Sequence, residues 1–178
     1  MSAPQTLITD RLVLRQVAPR DWPGYRDFAA TDRSRYVGGP ATEGEAWRKF
    51  ASILGHWVFL GYGMWAVTLK GDDTCLGVVG PWVPADWPET EIGWLLWPEA
   101  EGKGIGFEAA RAVVDHAYGT LGWDTAVSYI DPDNARSIAL AERLGAVLDP
   151  SAPQPKPDHA VLVYRHPRPT PATGGTDV

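Results

Sequence analysis

Cysteine is almost missing from this 178-residue chain. Cys75 is the one thiol, so no internal disulfide can form, and a reducing, cytoplasmic setting is expected. An excess of positive charge is missing too. A formal net charge of −6 argues against a nucleic-acid surface, which needs clustered Lys and Arg, and better suits a cationic small molecule or peptide. Long apolar runs are absent. The stretches around Val79 and Leu95 are short and broken by Pro81, Pro84 and Pro98, so no membrane span is expected. The first residues lack the charged segment plus apolar core of a secretory signal. His56, His116, His159 and His166 are scattered without ligand spacing, so no metal site is expected.

What is present points to a folded core. Hydrophobic residues make up 44% of the chain, nine of them tryptophan, which suits one domain of this length. That domain is expected over 1–166. A disordered tail is expected over 167–178, where breakers replace apolar periodicity. "RLVLRQV" (11–17) alternates like a strand, and a short helix is entered near Asp21. Thr42 and Glu45 form a capping box ahead of Trp47, Phe50, Ile53, Leu54 and Trp57 at helical spacing. Residues 63–69 and 75–83 read as a hairpin, and 89–97 as a strand ended by Pro98. Ala110, Val113, Val114, Ala117 and Leu121 make the apolar stripe of a helix over 104–121. A strand (125–130), a "DPDN" turn, a helix closed by Gly145 and a last strand (159–165) complete an α/β mixture with one parallel step.

Between strand and helix stands "EGKGIGFEAA", residues 101–110. Glycines just before a helix let backbone amides approach an anion, and the helix dipole adds attraction. A Walker loop is excluded, because Gly104 follows Lys103 where Ser or Thr is required. "GIGFEA" does satisfy a dinucleotide fingerprint, with Asp124 at about the distance of a ribose ligand. Against it, "PEAE" separates the strand from the glycines, and too little chain follows for a whole dinucleotide domain.

More residues fit a third design. "TEIGWLLWPEAEGKGIGFEAARAVVDHA" and "YIDPDNARSIALAERLGAV", with the opening "TLITDRLVLRQVAPRDW", resemble the GCN5-related N-acetyltransferase (GNAT) family, in particular its RimJ/RimL-type branch. The resemblance implies an α/β fold: a mixed, mostly antiparallel central sheet with a parallel, splayed strand pair and flanking helices. It implies acetyl-CoA (or a similar short acyl-CoA) as co-substrate, with no metal. The acceptor would be an amine, either a small molecule or a protein N-terminus, attacking the thioester directly. Two rivals stay open: a catalytically silent acyl-CoA-binding module, and a nucleotide-binding oxidoreductase built on "GIGFEA". A homodimer and a monomer are equally open.

The same resemblance distributes roles. The amides of Gly102, Lys103, Gly104, Ile105, Gly106 and Phe107 would hold the pyrophosphate. Leu95, Leu96 and Trp97 would pair with pantetheine, and a bulge would free the Leu95 amide to polarise the thioester carbonyl. Glu101 departs from the family's Gln, Arg or Trp and is expected to point to solvent. Glu91, on one strand face with Gly93 and Leu95, is the candidate base, the alternative being a solvated edge carboxylate. The tyrosine acid of many relatives is replaced by Ala141. Ser137 is left as candidate acid and Asn134 as pantetheine ligand, although Asn is also a good helix cap. Trp82 and Trp87 are expected at an acceptor pocket, with loops around Tyr36 and Trp57, and Cys75 as inert packing.

Overall fold

The computed structural model describes residues 5–156 and 158–169. In chain order the elements are β1 (Leu7–Ile8), β2 (Leu12–Gln16), α1 (Trp22–Ala29), a 3-10 segment (Asp32–Val37), α2 (Glu43–Leu60), β3 (Trp65–Leu69), β4 (Gly77–Trp82), β5 (Glu91–Leu96), α3 (Ile105–Gly119), β6 (Val127–Ile130), α4 (Ala135–Arg143), β7 (Val147–Leu148) and β8 (Leu162–Arg165). The eight strands form one sheet in the order β1-β2-β3-β4-β5-β6-β8-β7. Every neighbouring pair is antiparallel except β5 and β6, whose parallel contact is the single pair Glu91–Val127.

Period-two alternation sends side chains to two cores. Trp65 and Val67 of β3 pack with Val113, Ala117 and Ile92 under α3, whereas Ala66 packs with Phe50, Ile53 and Tyr25 under α1 and α2. Helix α2 starts at the expected box: Thr42 Oγ1 accepts from the Glu45 N–H, and Glu45 Oε2 accepts from the Thr42 N–H at 2.9 Å. The buried stripe of α3 holds Ala110, Val113, Val114 and Ala117, as its spacing predicts. The expected strand over 125–130 begins only at Val127, and two short strands, β1 and β7, were not expected. Of the tail expected from 167, Arg168 donates to the Trp123 carbonyl; residues 170–178 lie outside the described residues.

Candidate active site

A cleft of about 780 Å³ runs from the glycine turn to the gap between β5 and β6. Its floor is the start of α3. Gly102 and Gly104 hold φ of 70° and 73°, left-handed angles that disfavour any side chain, and Gly104 is the N-cap of α3 with no side chain capping it. The first intrahelical bond from this end runs from Glu108 N–H to Gly104 C=O, so the amides of Ile105, Gly106 and Phe107 stay free. The backbone is fixed by Arg11, which donates to Lys103 C=O at 3.0 Å and pairs with Glu108 at 2.7 Å. Gly106 has a different reason to be glycine: a Cβ there would lie 2.5 Å from Leu96 Cδ1, so it lets α3 press on β5. The Lys103 side chain is exposed, and Ile105 is buried in the α3 core, so Ile105 can serve the turn only through its amide.

Glu101 does not point freely to solvent. Its carboxylate is held between Arg33, from the 3-10 segment, and Arg136, from α4, the latter at 2.8 Å. Two guanidiniums offset the carboxylate that the turn would otherwise present to an anion. Asp124 cannot serve a ligand at this turn. It lies past the far end of the 15-residue α3, roughly 22 Å away along the axis, exposed and beside Arg168.

Beyond Glu91–Val127 the two parallel strands part, and ladder parity decides which amides face the gap. Trp97 N–H bonds to Leu76 C=O at 2.9 Å, and β5 pairs with β4 residue for residue from Glu91–Trp82 to Leu96–Gly77. Alternation therefore turns the N–H groups of Leu95, Gly93 and Glu91 toward β4. Those of Trp94 and Leu96 face β6 and the gap. Three expectations are corrected. Leu95 is not the donor to the thioester carbonyl, Trp97 is not open to pantetheine pairing, and no bulge interrupts β5 opposite β4. The splay alone frees the amides. Trp97 packs instead against Phe28 and Tyr25.

Glu91 stands at the other end of the gap. Trp87 Nε1–H donates to its Oε2, while its Oε1 lies over Gly93, 3.7 Å from where a Cβ would sit. The strand face shared with Gly93 is as expected; the solvated alternative is not, for burial pushes its pKa up to about 7. The Trp87 ring N–H and the Tyr129 amide pull the other way and lose. Gly93 and Tyr129 also line a recess shared with Tyr36, Trp94 and Ser137. On the opposite wall Asn134 Oδ1 accepts the Ser137 N–H at 3.3 Å, capping α4, and Asn134 also lines the cleft. Ser137 Oγ accepts Trp94 Nε1–H at 3.1 Å, which leaves its own proton free to give.

Of the two tryptophans expected at the acceptor pocket, Trp87 reaches Glu91. Trp82 stacks on His56, and Trp57 donates to Met64 C=O and meets Trp65 edge-on, so both are supports. Cys75 is packed near Trp97, where burial raises its pKa to about 11 and keeps the thiol protonated. Sequence reading missed Arg33, Arg136, Trp94 and the Arg143 guanidinium over the Phe107 ring. The loop at Tyr36, expected on the acceptor side, ties the 3-10 segment to the start of α4 through the Tyr36 hydroxyl, which donates to Asp133 C=O. Arg136 alone had a local signal, lying between Asn134 and Ser137.

A family model described as "Acetyltransferase (GNAT) domain" matches residues 11–147. An acetyltransferase from Agrobacterium tumefaciens is 44% identical in a solved structure with a TM-score of 0.86, covering 91% of this chain and 94% of its own. An uncharacterized Bacillus subtilis protein, YkkB, is 29% identical over 154 residues, 82% of this chain and 87% of its own. A ribosomal L7/L12 alpha-N-protein acetyltransferase, RimL, solved in complex with coenzyme A, shares the fold at 17% identity and a TM-score of 0.69, over 91% and 97% of the two chains.

Proposed function

The chain belongs to the GNAT acetyltransferase family, and from that premise and the cleft geometry we propose that it moves an acetyl group from acetyl-CoA to a primary amine by direct attack on the thioester. The observation that carries this reading is a free-amide turn and a splayed strand with gap-facing amides lining one cleft, with a carboxylate poised near neutrality at the start of that strand. The turn suits the pyrophosphate: Gly102 has open space around it, and Gly104 has only Arg11 near the place of a Cβ, at 3.4 Å. Bound there, acetyl-CoA supplies the activated acyl group. The Trp94 and Leu96 amides face the gap in which the thioester carbonyl would lie, and their N–H dipoles stabilise the charge that grows on its oxygen. The amine must be neutral to attack. A lysine-type amine, with a pKa near ~10.4, needs a base more than an α-amine near ~8. Glu91 Oε1 takes that proton, directly or through water, as the C–N bond forms. The C–S bond then breaks, and Ser137 relays a proton to the thiolate, taking one from solvent as it gives its own, while Glu91 returns the proton it took to solvent. The acceptor is an amine-bearing small molecule or a protein N-terminus.

Thiol release from acetyl-CoA, measured against a panel of small amines and N-terminal peptides, tests the reading. Acceptor-dependent release is expected. Coenzyme A binding without release for any acceptor would leave a silent binding module.

A second expected result concerns Glu101. Its carboxylate competes with phosphate for Arg33 and Arg136, so Glu101→Gln should tighten coenzyme A binding about threefold to tenfold at low salt, the scale of exposed ion pairs. Calorimetry at two ionic strengths checks it. The gain should shrink at high salt, and weaker binding would show that the carboxylate instead holds the guanidiniums in place for the ligand.

A further inference from the structure

Where the parallel ladder stops, a hydrogen-bonded chain takes its place. Val127 N–H bonds to Thr90 C=O at 3.0 Å, and the next rung of a continued parallel ladder would bring Tyr129 N–H to Ile92 C=O. Neither group makes that rung: the Tyr129 N–H turns to the Glu91 carboxylate, and the Ile92 carbonyl accepts a side chain. Ser128 Oγ lies 2.7 Å from it, and His166 Nε2 lies 2.9 Å from Ser128 Oγ. The Ser128 hydroxyl has one proton and must spend it on Ile92, because a carbonyl can only accept. His166 is therefore the Nε2–H tautomer and donates to Ser128. The order is the reverse of an activated serine nucleophile, so nucleophilic catalysis by Ser128 is excluded. All three residues are buried, and His166 is fixed from outside: its N–H bonds to Ala126 C=O at 2.9 Å, and its C=O accepts the Tyr118 hydroxyl at 2.7 Å. The Trp94 ring meets His166 edge-on at 6.3 Å, so the chain abuts the residue whose amide faces the gap.

We propose that Ser128 and His166 are positioning residues that fix the splay of β5 and β6, a side-chain hydroxyl standing in for the ladder amide at the last carbonyl before the gap and so setting the width of the slot for the acyl arm. The proposal rests on the acetyl-CoA reading above and adds the device that sets the slot. Burial lowers the pKa of His166 to about 4, so the imidazole stays neutral and the chain keeps one polarity across the working pH range. Its Nδ1 is buried with no hydrogen-bond partner among the described residues, so the ring's polar contact there is made by Nε2.

Four variants, each compared with wild type below its melting temperature, test the proposal. Ser128→Ala and His166→Phe remove the donors; Ser128→Thr and His166→Gln keep a hydroxyl and a side-chain N–H. The first two should raise the KM for acetyl-CoA about tenfold, the cost of one lost buried hydrogen bond passed to the slot, and weaken coenzyme A binding in calorimetry to match. The conservative pair should stay within about threefold of wild type. Nitrogen-15 spectra of the wild type should show a neutral Nε2–H tautomer for His166. If wild type binds no coenzyme A, the acetyl-CoA reading fails. If wild type binds and Ser128→Ala and His166→Phe bind and turn over equally well, whatever their melting temperatures, the pair is packing only and the proposal is overturned. An Nδ1–H tautomer would overturn it as well.

Discussion

Replacing Gly104 by valine should weaken coenzyme A binding more than about 100-fold while leaving a folded chain. Two costs act at the same atom. The residue holds φ of 73°, where a Cβ meets its own backbone, at about 1–2 kcal/mol for an ordinary side chain and more for a β-branched one. The Cβ itself would find room, since its nearest neighbour is Arg11 Nη2 at 3.4 Å. The γ-methyl groups would not: they must either push Arg11 from Lys103 C=O or stand over the amides of Ile105, Gly106 and Phe107. Either outcome removes the anion seat. Stability should fall by about 1–3 kcal/mol in a urea titration, since the left-handed strain is local to the helix start. Gly102→Ala is the matched control. It sits at φ of 70° with no atom within 4 Å, so it adds strain without obstruction and should cost far less affinity. Acetyl-pantetheine, which lacks the diphosphate, separates the mechanisms further: its turnover should suffer much less in Gly104→Val than that of acetyl-CoA. Coenzyme A binding to Gly104→Val within threefold of wild type would mean that the phosphates sit elsewhere.

The turn was legible because its three glycines stand at alternate positions at the entry to a helix, whereas the Arg11 contact that fixes its backbone was not. The α2 box and the α3 stripe were legible too, since capping and helical periodicity are local. The gap-facing amides of β5 were not. Which of Leu95 or its neighbours faces the gap depends on pairing with β4, and a shift of one residue exchanges every N–H between the two sides. Sequence alone singled out Leu95, whose amide the pairing turns toward β4. Glu101 failed for a related reason. Its partner Arg33 is 68 positions away, and nothing near Arg33 in the chain announces that the 3-10 segment will cross the cleft. Ser128 and His166, 38 positions apart, carry no motif at all. Strands β1 and β7 have two residues each, too few to show any period. The tryptophans divide by neighbours rather than by composition: Trp82 is taken by His56, whereas Trp87 reaches Glu91.

Glu91→Gln should slow turnover about 100-fold or more, the usual share of a positioned base, with coenzyme A affinity unchanged. The pH dependence is the sharper test. A base must be ionised to act, so wild-type kcat/KM should rise with pH through a midpoint about where burial has pushed Glu91, about 7, and the glutamine variant should lose that limb. Stability should move the opposite way. The folded carboxyl sits at about 7 against an ordinary 4.5, so the fold prefers the protonated form. Its contribution is fully present below about pH 4.5 and is lost as pH rises through about 7, a penalty on the order of 3 kcal/mol at alkaline pH. Glutamine still accepts from Trp87 Nε1–H but carries no charge to desolvate. The variant should therefore melt above wild type at pH 8.5, and the difference should vanish near pH 4.5. A slow enzyme that is more stable where the wild type is active is the expected signature of a base kept in an apolar place for its chemistry. If the variant kept both the rate and the pH limb, the proton acceptor would have to be another group, and Glu91 would be left as a buried carboxyl tied to Trp87.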